Sequence, residues 1–316
     1  MGENKGIVKD TFGETLVKLG RKNSRIVVLE ADLMKASGSE IFMKEFPRRH
    51  FNVGIAEQNL VGIAAGLASM GKIPFASTFS SFISQRSCDQ AINAVCYNKF
   101  NVKLCGIYAG LTNEKNGGTH ISVEDISIFR SMPNMVVLAP ADCRELELSM
   151  EAVAQYDGPV YIRIARGPLN EIFGKDYKFV IGEAVVLQDG NDISLITTDI
   201  TTWEGQLACE TLKSKGIKVR HIHMPTIKPI DRDEILRAAQ ETGAIVTVEN
   251  HSRLGGLGSA VTEIVCDACP VIVKRLGIDD KFGETAKLDW LVSKFGISSE
   301  HIVTAIEEVL SRKGRY

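Results

Sequence analysis

The sequence predicts an α/β protein built from two three-layer α/β domains with mostly parallel sheets. Short apolar runs typical of buried strands alternate with amphipathic helix patterns along the whole chain. The length of 316 residues is enough for about two domains. The hydrophobic fraction of 44% and the net charge of −2 are ordinary for a globular protein, so they argue against a general nucleic-acid binder.

The first domain is predicted over residues 1–185. Its first strand is the continuous apolar run IVVLE, and its first helix is rich in Ala, Leu and Gly. Asp142 and Glu145 have the spacing of a helix capping box, which predicts a helix start at that point. The predicted strands are Ile26–Glu30, Pro74–Thr78, Val102–Tyr108, Met135–Pro140 and Pro159–Ile164, and the predicted helices are Gln58–Met70, Ser84–Tyr97 and Val123–Arg130, with a fourth from Asp142.

The second domain is predicted over residues 186–316 and repeats the alternation more compactly. The boundary is placed near residue 185 because the segment from Arg166 to Gly190 is irregular and richer in Gly, Pro and charge. The last helix has a single apolar face. The predicted strands are Ile193–Thr197, Lys218–His223, Ala244–Glu249 and Val271–Leu276, and the predicted helices are Trp203–Lys215, Asp231–Ala239, Gly258–Cys266 and Glu300–Leu310.

The apolar runs and the cysteines predict a cytoplasmic protein without a membrane partner. The longest apolar runs fall far short of the roughly 20 residues that span a bilayer. The polar start MGENKGIVKD does not resemble a secretory signal peptide. Seven cysteines cannot all pair, and most lie beside aliphatic residues, as do Cys96, Cys105 and Cys266, which predicts reduced and buried thiols. Cys266 and Cys269 form a CxxC without a second pair at zinc spacing, so a metal or redox role is disfavoured.

The glycine motifs give little support for a nucleotide site. Gly255 to Gly258 (GGLG) follows a predicted strand, but the spacing GxGxxG is absent. The chain contains neither a P-loop GxxxxGK[ST] nor a GxSxG elbow. A tight turn from strand to helix is therefore the favoured role of these glycines.

Two polar segments are better candidates for chemistry. In FNVGIAEQN, Glu57 lies in an apolar context at the entrance to a helix, where a carboxylate is expected to be partly desolvated. The alternative is a glutamate that meets the helix macrodipole. In NGGTH, His120 ends a polar loop of a length and composition that tend to be functional. The alternative is an ordinary loop histidine.

These two segments carry a resemblance to a known family. Phe51–Ala68 resembles the pyrimidine-domain signature of transketolases and of the related deoxyxylulose phosphate synthases. In the second domain, Val248–His251 and Gly255–Ser259 resemble the transketolase C-terminal domain. The resemblance covers nearly the whole chain. Five further segments fit in order, namely Ala31–Leu33, Pro74–Phe79, Gly117–His120, Ser131–Met135 and Asp157–Arg163.

The resemblance implies an enzyme that uses thiamine diphosphate with Mg²⁺. Glu57 matches the glutamate that hydrogen-bonds a nitrogen of the cofactor's pyrimidine and activates it. Phe79 and Phe82 match aromatic residues that line the pyrimidine pocket, although their spacing alone would suit core residues of a helix. Gln85 stands where the family has a third aromatic residue. Asp32, in the segment Ala31–Leu33, is also assigned to cofactor binding.

The resemblance further implies ketol transfer between sugar phosphates. His120 matches the histidine that contacts the hydroxyls of the donor sugar, and Arg166 matches the arginine that meets the substrate phosphate. Three positions depart from the family and leave the identity of the sugars open. Asn116 replaces an acid that senses hydroxyl configuration, Tyr108 replaces a phosphate-side histidine, and Lys9 lies near the place of an N-terminal arginine.

The family's metal and diphosphate motif, GDG with a downstream Asn, is missing from this sequence. The chain is therefore expected to be the C-terminal subunit of a two-chain transketolase. An N-terminal subunit would supply the Mg²⁺ ligands and the diphosphate site in an α₂β₂ heterotetramer. The alternatives are the β subunit of a 2-oxo acid decarboxylase, half of a deoxyxylulose phosphate synthase, and a regulatory subunit whose site has decayed.

Overall fold

The computed structural model describes residues 5–313, in which strands and helices alternate. The strands are β1 (Lys5–Ile7), β2 (Ile26–Glu30), β3 (His50–Asn52), β4 (Ile73–Phe79), β5 (Lys103–Ile107), β6 (Val136–Leu138), β7 (Val160–Ile164), β8 (Pro168–Asn170), β9 (Val185–Gln188), β10 (Ile193–Thr197), β11 (Val219–His223), β12 (Thr226–Lys228), β13 (Ala244–Ser252) and β14 (Ile272–Ile278). The helices are α1 (Val8–Lys22), α2 (Met34–Ser37), α3 (Glu40–Glu45), α4 (Glu57–Ser69), α5 (Ser80–Gln85), α6 (Cys88–Gln90), α7 (Asp125–Ser131), α8 (Cys143–Gln155), α9 (Thr201–Ser214), α10 (Arg232–Thr242), α11 (Leu257–Ala268), α12 (Leu288–Lys294) and α13 (Ser299–Lys313).

Two mostly parallel sheets organise the described residues. One sheet has seven strands in the order β12-β6-β7-β5-β4-β2-β3, and the other has five in the order β14-β13-β10-β11-β9. Within these sheets, the pairs β12 with β6 and β9 with β11 are antiparallel, and the other pairs are parallel. The α/β fold class predicted from the sequence is confirmed. The chain does not pass from one sheet to the other at a single point, since β9 to β11 belong to the second sheet and β12 returns to the first. A domain boundary near residue 185 therefore stays our proposal.

Helices cover both faces of the first sheet because its central strands are apolar on both sides. Along β2, Ile26 and Val28 pack with residues of α1 and α8. The alternate residues, Val27 and Leu29, pack with residues of α4 on the opposite face. This alternation explains why a strand buried on both faces reads as an unbroken apolar run.

The two sheets share one hydrophobic cluster between them. The cluster that contains Val27 and Leu29 continues into Ile222 and Met224 and into residues of α10 and α11. The far face of the second sheet packs against α9, α12 and α13 in a separate cluster. Each sheet is therefore the middle of three layers, and the helices between the sheets join the two halves of the molecule.

Several elements differ from the sequence prediction. Helix α1 was not predicted, although Val8, Phe12, Leu16 and Leu19 recur at helical spacing and pack on the first sheet. The helix predicted from Ser84 to Tyr97 begins at Ser80 and is divided into α5, α6 and a π-helical turn at 91–96. The hydroxyls of Ser84 and Ser87 donate to backbone carbonyls four residues earlier, a contact that bends helices.

All seven cysteines are free thiols. Cys96, Cys105 and Cys209 are buried as expected, whereas Cys266 is exposed near the end of α11, so its predicted burial is wrong. Among residues 5–313, no helix combines the length and the apolar character needed to cross a bilayer.

Candidate active site

The candidate residues gather at the carboxyl ends of parallel strands in the seven-stranded sheet. Asp32 follows β2, Phe79 ends β4, Tyr108 follows β5 and Arg166 follows β7. Open α/β sheets bind ligands at this edge, because the loops that leave neighbouring strands meet there. Residues far apart in the sequence therefore reach one surface.

Glu57 is held by an arginine that was not among the candidates predicted from the sequence. It is the first residue of α4, and its side chain is only 6% exposed. Arg86 Nη1 donates to Glu57 Oε1 at 2.8 Å, and the Arg86 guanidinium lies 3.6 Å from the ring centre of Phe82. Arg86 itself is 48% exposed, so a buried carboxylate is paired with a half-exposed guanidinium.

A row of rings extends from Phe82 to the opposite side of the site. The ring centres of Phe82 and His120 are 5.0 Å apart, and those of Phe79 and Phe82 are 5.5 Å apart. Phe79 stacks on Tyr108 at 5.3 Å, and the Arg166 guanidinium lies 4.6 Å from the Tyr108 ring centre. The two phenylalanines thus contact the candidate polar residues as well as the core.

A cavity of about 290 Å³ opens beside Tyr108 and Arg166. Lys9, in the first turn of α1, lines the same cavity. None of the described residues that line it is acidic. The partial positive charge at the start of a 15-residue helix adds to the two cationic side chains. The cavity therefore suits an anionic group.

A buried carboxylate, Glu30, lies behind this cavity. Ser37 is one of the residues that line the cavity, and its hydroxyl donates to Glu30 Oε1 at 2.6 Å. Glu30 Oε2 is buried without a hydrogen-bond partner among the described residues. Burial raises the pKa of Glu30 to about 7. This residue was not predicted from the sequence, although an acid at the end of the apolar run IVVLE was a visible signal.

The segment of residues 110–121, here named the His120 loop, is fixed through its backbone. The carbonyl of His120 accepts from Asn113 Nδ2 at 2.7 Å and from Ser81 Oγ at 3.0 Å. His120 Nδ1 lies 2.8 Å from the Thr119 hydroxyl. The imidazole packs edge-on against both phenylalanines, with its ring centre 6.0 Å from that of Phe79 and 5.0 Å from that of Phe82.

Three of the candidate residues make their hydrogen bonds outside the row of rings. The carboxylate of Asp32 accepts from Asn52 Nδ2 at 3.2 Å. Gln85 Nε2 donates to Glu124 at 3.2 Å, and Asn116 Nδ2 donates to Asn113 at 2.6 Å. Most of the candidate residues are thus joined by contacts or by a common cavity, namely Glu57, Phe82, Phe79, His120, Tyr108, Arg166 and Lys9. The remaining three, Asp32, Gln85 and Asn116, lie around them.

The residues present fit the pyrimidine half of the cofactor that the resemblance implies. The Glu57 carboxylate and the Phe82 face already hold a planar, hydrogen-bonding group, the Arg86 guanidinium. An aminopyrimidine ring presents the same combination of a flat face and in-plane nitrogen atoms. For the metal, no group of three or more His, Cys, Asp or Glu residues within 5–313 is arranged to hold an ion.

Comparison with known proteins gives consistent matches over the whole chain. Residues 7–171 match the pyrimidine binding domain of transketolase, and residues 182–302 match the transketolase C-terminal domain. The chain is 44% identical to a 6-deoxy-6-sulfo-D-fructose transketolase subunit from Clostridium sp. (strain MSTE9), over 97% of this chain and 95% of that protein. It is 36% identical to an apulose-4-phosphate transketolase subunit from Phocaeicola vulgatus, over 98% of this chain and 99% of that protein.

One solved structure is similar in both sequence and fold. It is described as a split gene transketolase, inactive beta4 tetramer, and it superposes with a TM-score of 0.91 at 41% identity. The superposition covers 97% of this chain and 99% of that chain. The match thus extends over both sheets.

Proposed function

The chain belongs to the transketolase family, and from this premise we propose that it is the pyrimidine-domain subunit of a two-chain transketolase. The proposed reaction moves a two-carbon ketol group from a ketose with an anionic end group to an aldose phosphate. The observation that carries the proposal is the buried Glu57 carboxylate beside the Phe82 ring. Thiamine diphosphate, which the family uses, supplies the carbon nucleophile for such a transfer when bound.

In this proposal, Glu57 orients the pyrimidine and shares a proton with one of its ring nitrogens. A buried carboxylate suits this task because water competes weakly for its hydrogen bond. The Arg86 guanidinium holds the position proposed for the pyrimidine, against the Glu57 carboxylate and the face of the Phe82 ring. Because the Arg86 side chain is half exposed, it can move into solvent when the pyrimidine binds. Phe79 and Phe82 would exclude water from the pyrimidine side of the site.

His120, together with the Tyr108 and Arg166 end of the row, would bind the sugar. His120 Nε2 is the proposed donor to a sugar hydroxyl, since Nδ1 already meets the Thr119 hydroxyl. Lys9, Arg166 and the start of α1 would hold the anionic end of the ketose in the cavity of about 290 Å³. The two relatives are named for a sulfonated and a phosphorylated sugar, which agrees with a common anionic end group and leaves the exact sugar to be measured.

The diphosphate and Mg²⁺ sites are proposed to lie on an N-terminal partner subunit that carries the GDG motif, in an α₂β₂ heterotetramer. Three observations support this division. The sequence has no GDG, and within residues 5–313 no carboxylate and histidine cluster forms a metal site. A similar chain on its own is described as an inactive tetramer, which fits a site completed by a second chain.

The test is turnover by the reconstituted pair of chains. Fructose 6-phosphate and 6-deoxy-6-sulfo-D-fructose serve as donors, because they differ in the anionic end group. Glu57→Gln is expected to lower kcat by about 10²–10⁴-fold, since the neutral amide cannot take part in proton transfer. Glu263→Gln is the matched control, because Glu263 also pairs with an arginine, Arg130, but on the exposed side of α11.

Two results would contradict the proposal. Near-normal turnover by Glu57→Gln would remove Glu57 from the chemistry. Turnover by this chain alone would remove the need for a partner subunit. Decarboxylation of pyruvate by the pair, without ketol transfer, would instead support the 2-oxo acid decarboxylase alternative.

A further inference from the structure

The His120 loop rests on the second half of the molecule. Near its start, the amide of Leu111 donates to Asn250 Oδ1 at 2.9 Å. Further along, Glu114 Oε2 accepts from the amide of Leu288, the first residue of α12, at 2.7 Å. The amide of Ala286 donates to the Glu114 carbonyl at 3.2 Å. The loop that carries His120 is thus hydrogen-bonded to β13 and to the segment that leads into α12.

Close backbone contact strengthens this attachment. A Cβ atom added at Gly118 would lie 2.7 Å from the carbonyl oxygen of Gly283. Gly110, at the start of the loop, has a φ of +55° and lies against the side chains of Asn250 and Arg163. A side chain at either glycine would push the loop away from the second half.

Asn250 also connects the His120 loop to the strand that precedes Arg166. It is fully buried, and its Nδ2 donates to Asp199 Oδ2 at 3.2 Å. Its backbone carbonyl accepts from Arg163 Nη2 at 2.6 Å. Arg163 lies on β7, three residues before Arg166, and its Nε donates to Asp125 at 2.9 Å, just beyond the loop. One residue of the second half therefore contacts both supports: the Asn250 side chain holds the His120 loop, and its backbone carbonyl accepts from Arg163.

We propose that Asn250 is a positioning residue, which fixes the His120 loop so that the imidazole of His120 meets the sugar. The inference rests on the proposed function, because it takes the role of His120 from there. It assigns a task to the second half of the molecule, which holds the loop by Asn250 and by the bond from Leu288 to Glu114. Loss of either bond frees the loop locally, whereas loss of other bonds between the two halves does not.

The first test is amide hydrogen exchange on the isolated full-length chain. Asn250→Ala and Glu114→Ala are each expected to speed exchange in residues 110–121 by about tenfold. Asn250→Ala removes the acceptor of the Leu111 amide in the loop, and Glu114→Ala removes the acceptor of the Leu288 amide, which holds the loop from outside. Glu114→Gln should restore slow exchange, because its amide oxygen still accepts from Leu288. Glu114 is only partly buried, so this pair of variants stays informative if Asn250→Ala folds poorly.

The matched control is His223→Asn. His223 Nε2 lies 2.8 Å from Glu145 on α8, and both side chains are fully buried. This contact also joins the two halves, but its partners are Glu145 and Thr202 rather than the His120 loop. The control is expected to lower the melting temperature without speeding exchange in residues 110–121. Equal acceleration in the control, or none in the Asn250 and Glu114 variants, overturns the inference.

The second test is turnover by the reconstituted pair with the two donors named above. In Asn250→Ala and Glu114→Ala, kcat/KM for the donor should fall about tenfold, and Glu114→Gln and His223→Asn should stay near the wild-type value. A freed loop with unchanged kcat/KM overturns the inference. If the wild-type pair turns over neither donor, the proposed function loses its support, and the exchange measurement still decides whether Asn250 holds the loop.

Discussion

Arg163 and Arg166 lie three residues apart at the end of β7, yet their electrostatic surroundings are opposite. Arg163 is buried and donates to Asp125 at 2.9 Å and to Asp199. Arg166 is partly exposed, lies over the Tyr108 ring and faces a cavity whose described lining residues include no acid. An arginine whose charge is already neutralised fixes structure, whereas one without a carboxylate keeps its capacity to bind an anion.

The surroundings of Arg163 show how completely a buried charge is matched. Burial opposes its charge, but the carboxylates of Asp125 and Asp199 outweigh burial and raise the pKa of Arg163. The Tyr161 hydroxyl donates to Asp125 at 2.6 Å, and Asn250 donates to Asp199. These groups come from both halves of the molecule, so the charge pairs join the halves in addition to the hydrophobic cluster.

The largest expected effect comes from removing the buried charge. Arg163→Met should lower the free energy of unfolding by about 3–5 kcal/mol, because Asp125 and Asp199 would remain buried without their partner. Urea denaturation at neutral pH measures the change. Asp125→Asn and Asp199→Asn in the Arg163→Met background should recover part of the loss. A loss below about 1 kcal/mol would show that Arg163 does not hold the two halves together.

A second prediction concerns Glu30, a buried acid that pairs with no cationic side chain among residues 5–313. Burial raises its pKa to about 7, above the value of an unfolded chain, so the neutral carboxyl stabilises the fold at low pH. This stabilisation is present below about pH 4.5 and is lost as the pH rises through about 7. Glu30→Gln should therefore become more stable relative to the wild type by about 2–3 kcal/mol between about pH 5 and pH 8.5.

The measurement for Glu30 is urea denaturation across this pH range. Glu307→Gln reports the effect of the same substitution at an exposed carboxylate, which pairs with Lys215. A constant difference between Glu30→Gln and the wild type at all pH values would contradict the prediction. Such a constant difference would mean that a counter-charge or a water molecule meets Glu30 Oε2. Glu30 would then be matched in the way that Arg163 matches Asp125.

Local patterns predicted the elements whose signal lies within a few neighbouring residues. The strand Ile26–Glu30 was placed correctly, because a strand buried on both faces is apolar throughout. The cap at Asp142 was also correct, since its carboxylate accepts from the Glu145 amide at 2.8 Å. Helix α1 was missed because its polar residues obscured an apolar spacing that was present.

The arrangement of the candidate site could not come from local patterns. The resemblance supplied Glu57, His120 and Arg166, but the pairing of Glu57 with Arg86 joins residues 29 positions apart. The row of rings depends on which strand ends are neighbours in the sheet, and strand order is not written in the strands themselves. The contact between Leu111 and Asn250 spans 139 positions, so the support of the His120 loop became visible only in the folded chain.

The smallest effect on stability is expected at Arg166, and it sharpens the comparison with Arg163. Arg166→Met should change the free energy of unfolding by at most about 0.5 kcal/mol, because no buried carboxylate in the described part of the chain pairs with it. In the reconstituted pair, KM for the donor should rise about 10–100-fold with a smaller change in kcat, since the arginine holds the anionic end away from the reacting carbons.

Lys9→Gln tests whether this effect belongs to the cavity rather than to one side chain. Lys9 lines the cavity from α1, and its loss should raise KM less than the loss of Arg166, because a lysine cannot form the bidentate contact. Destabilisation by Arg166→Met as large as that of Arg163→Met would mean that both arginines are structural. Unchanged KM in both cavity variants would mean that the anionic end of the donor binds elsewhere, because neither cationic side chain of the cavity would then contribute to binding.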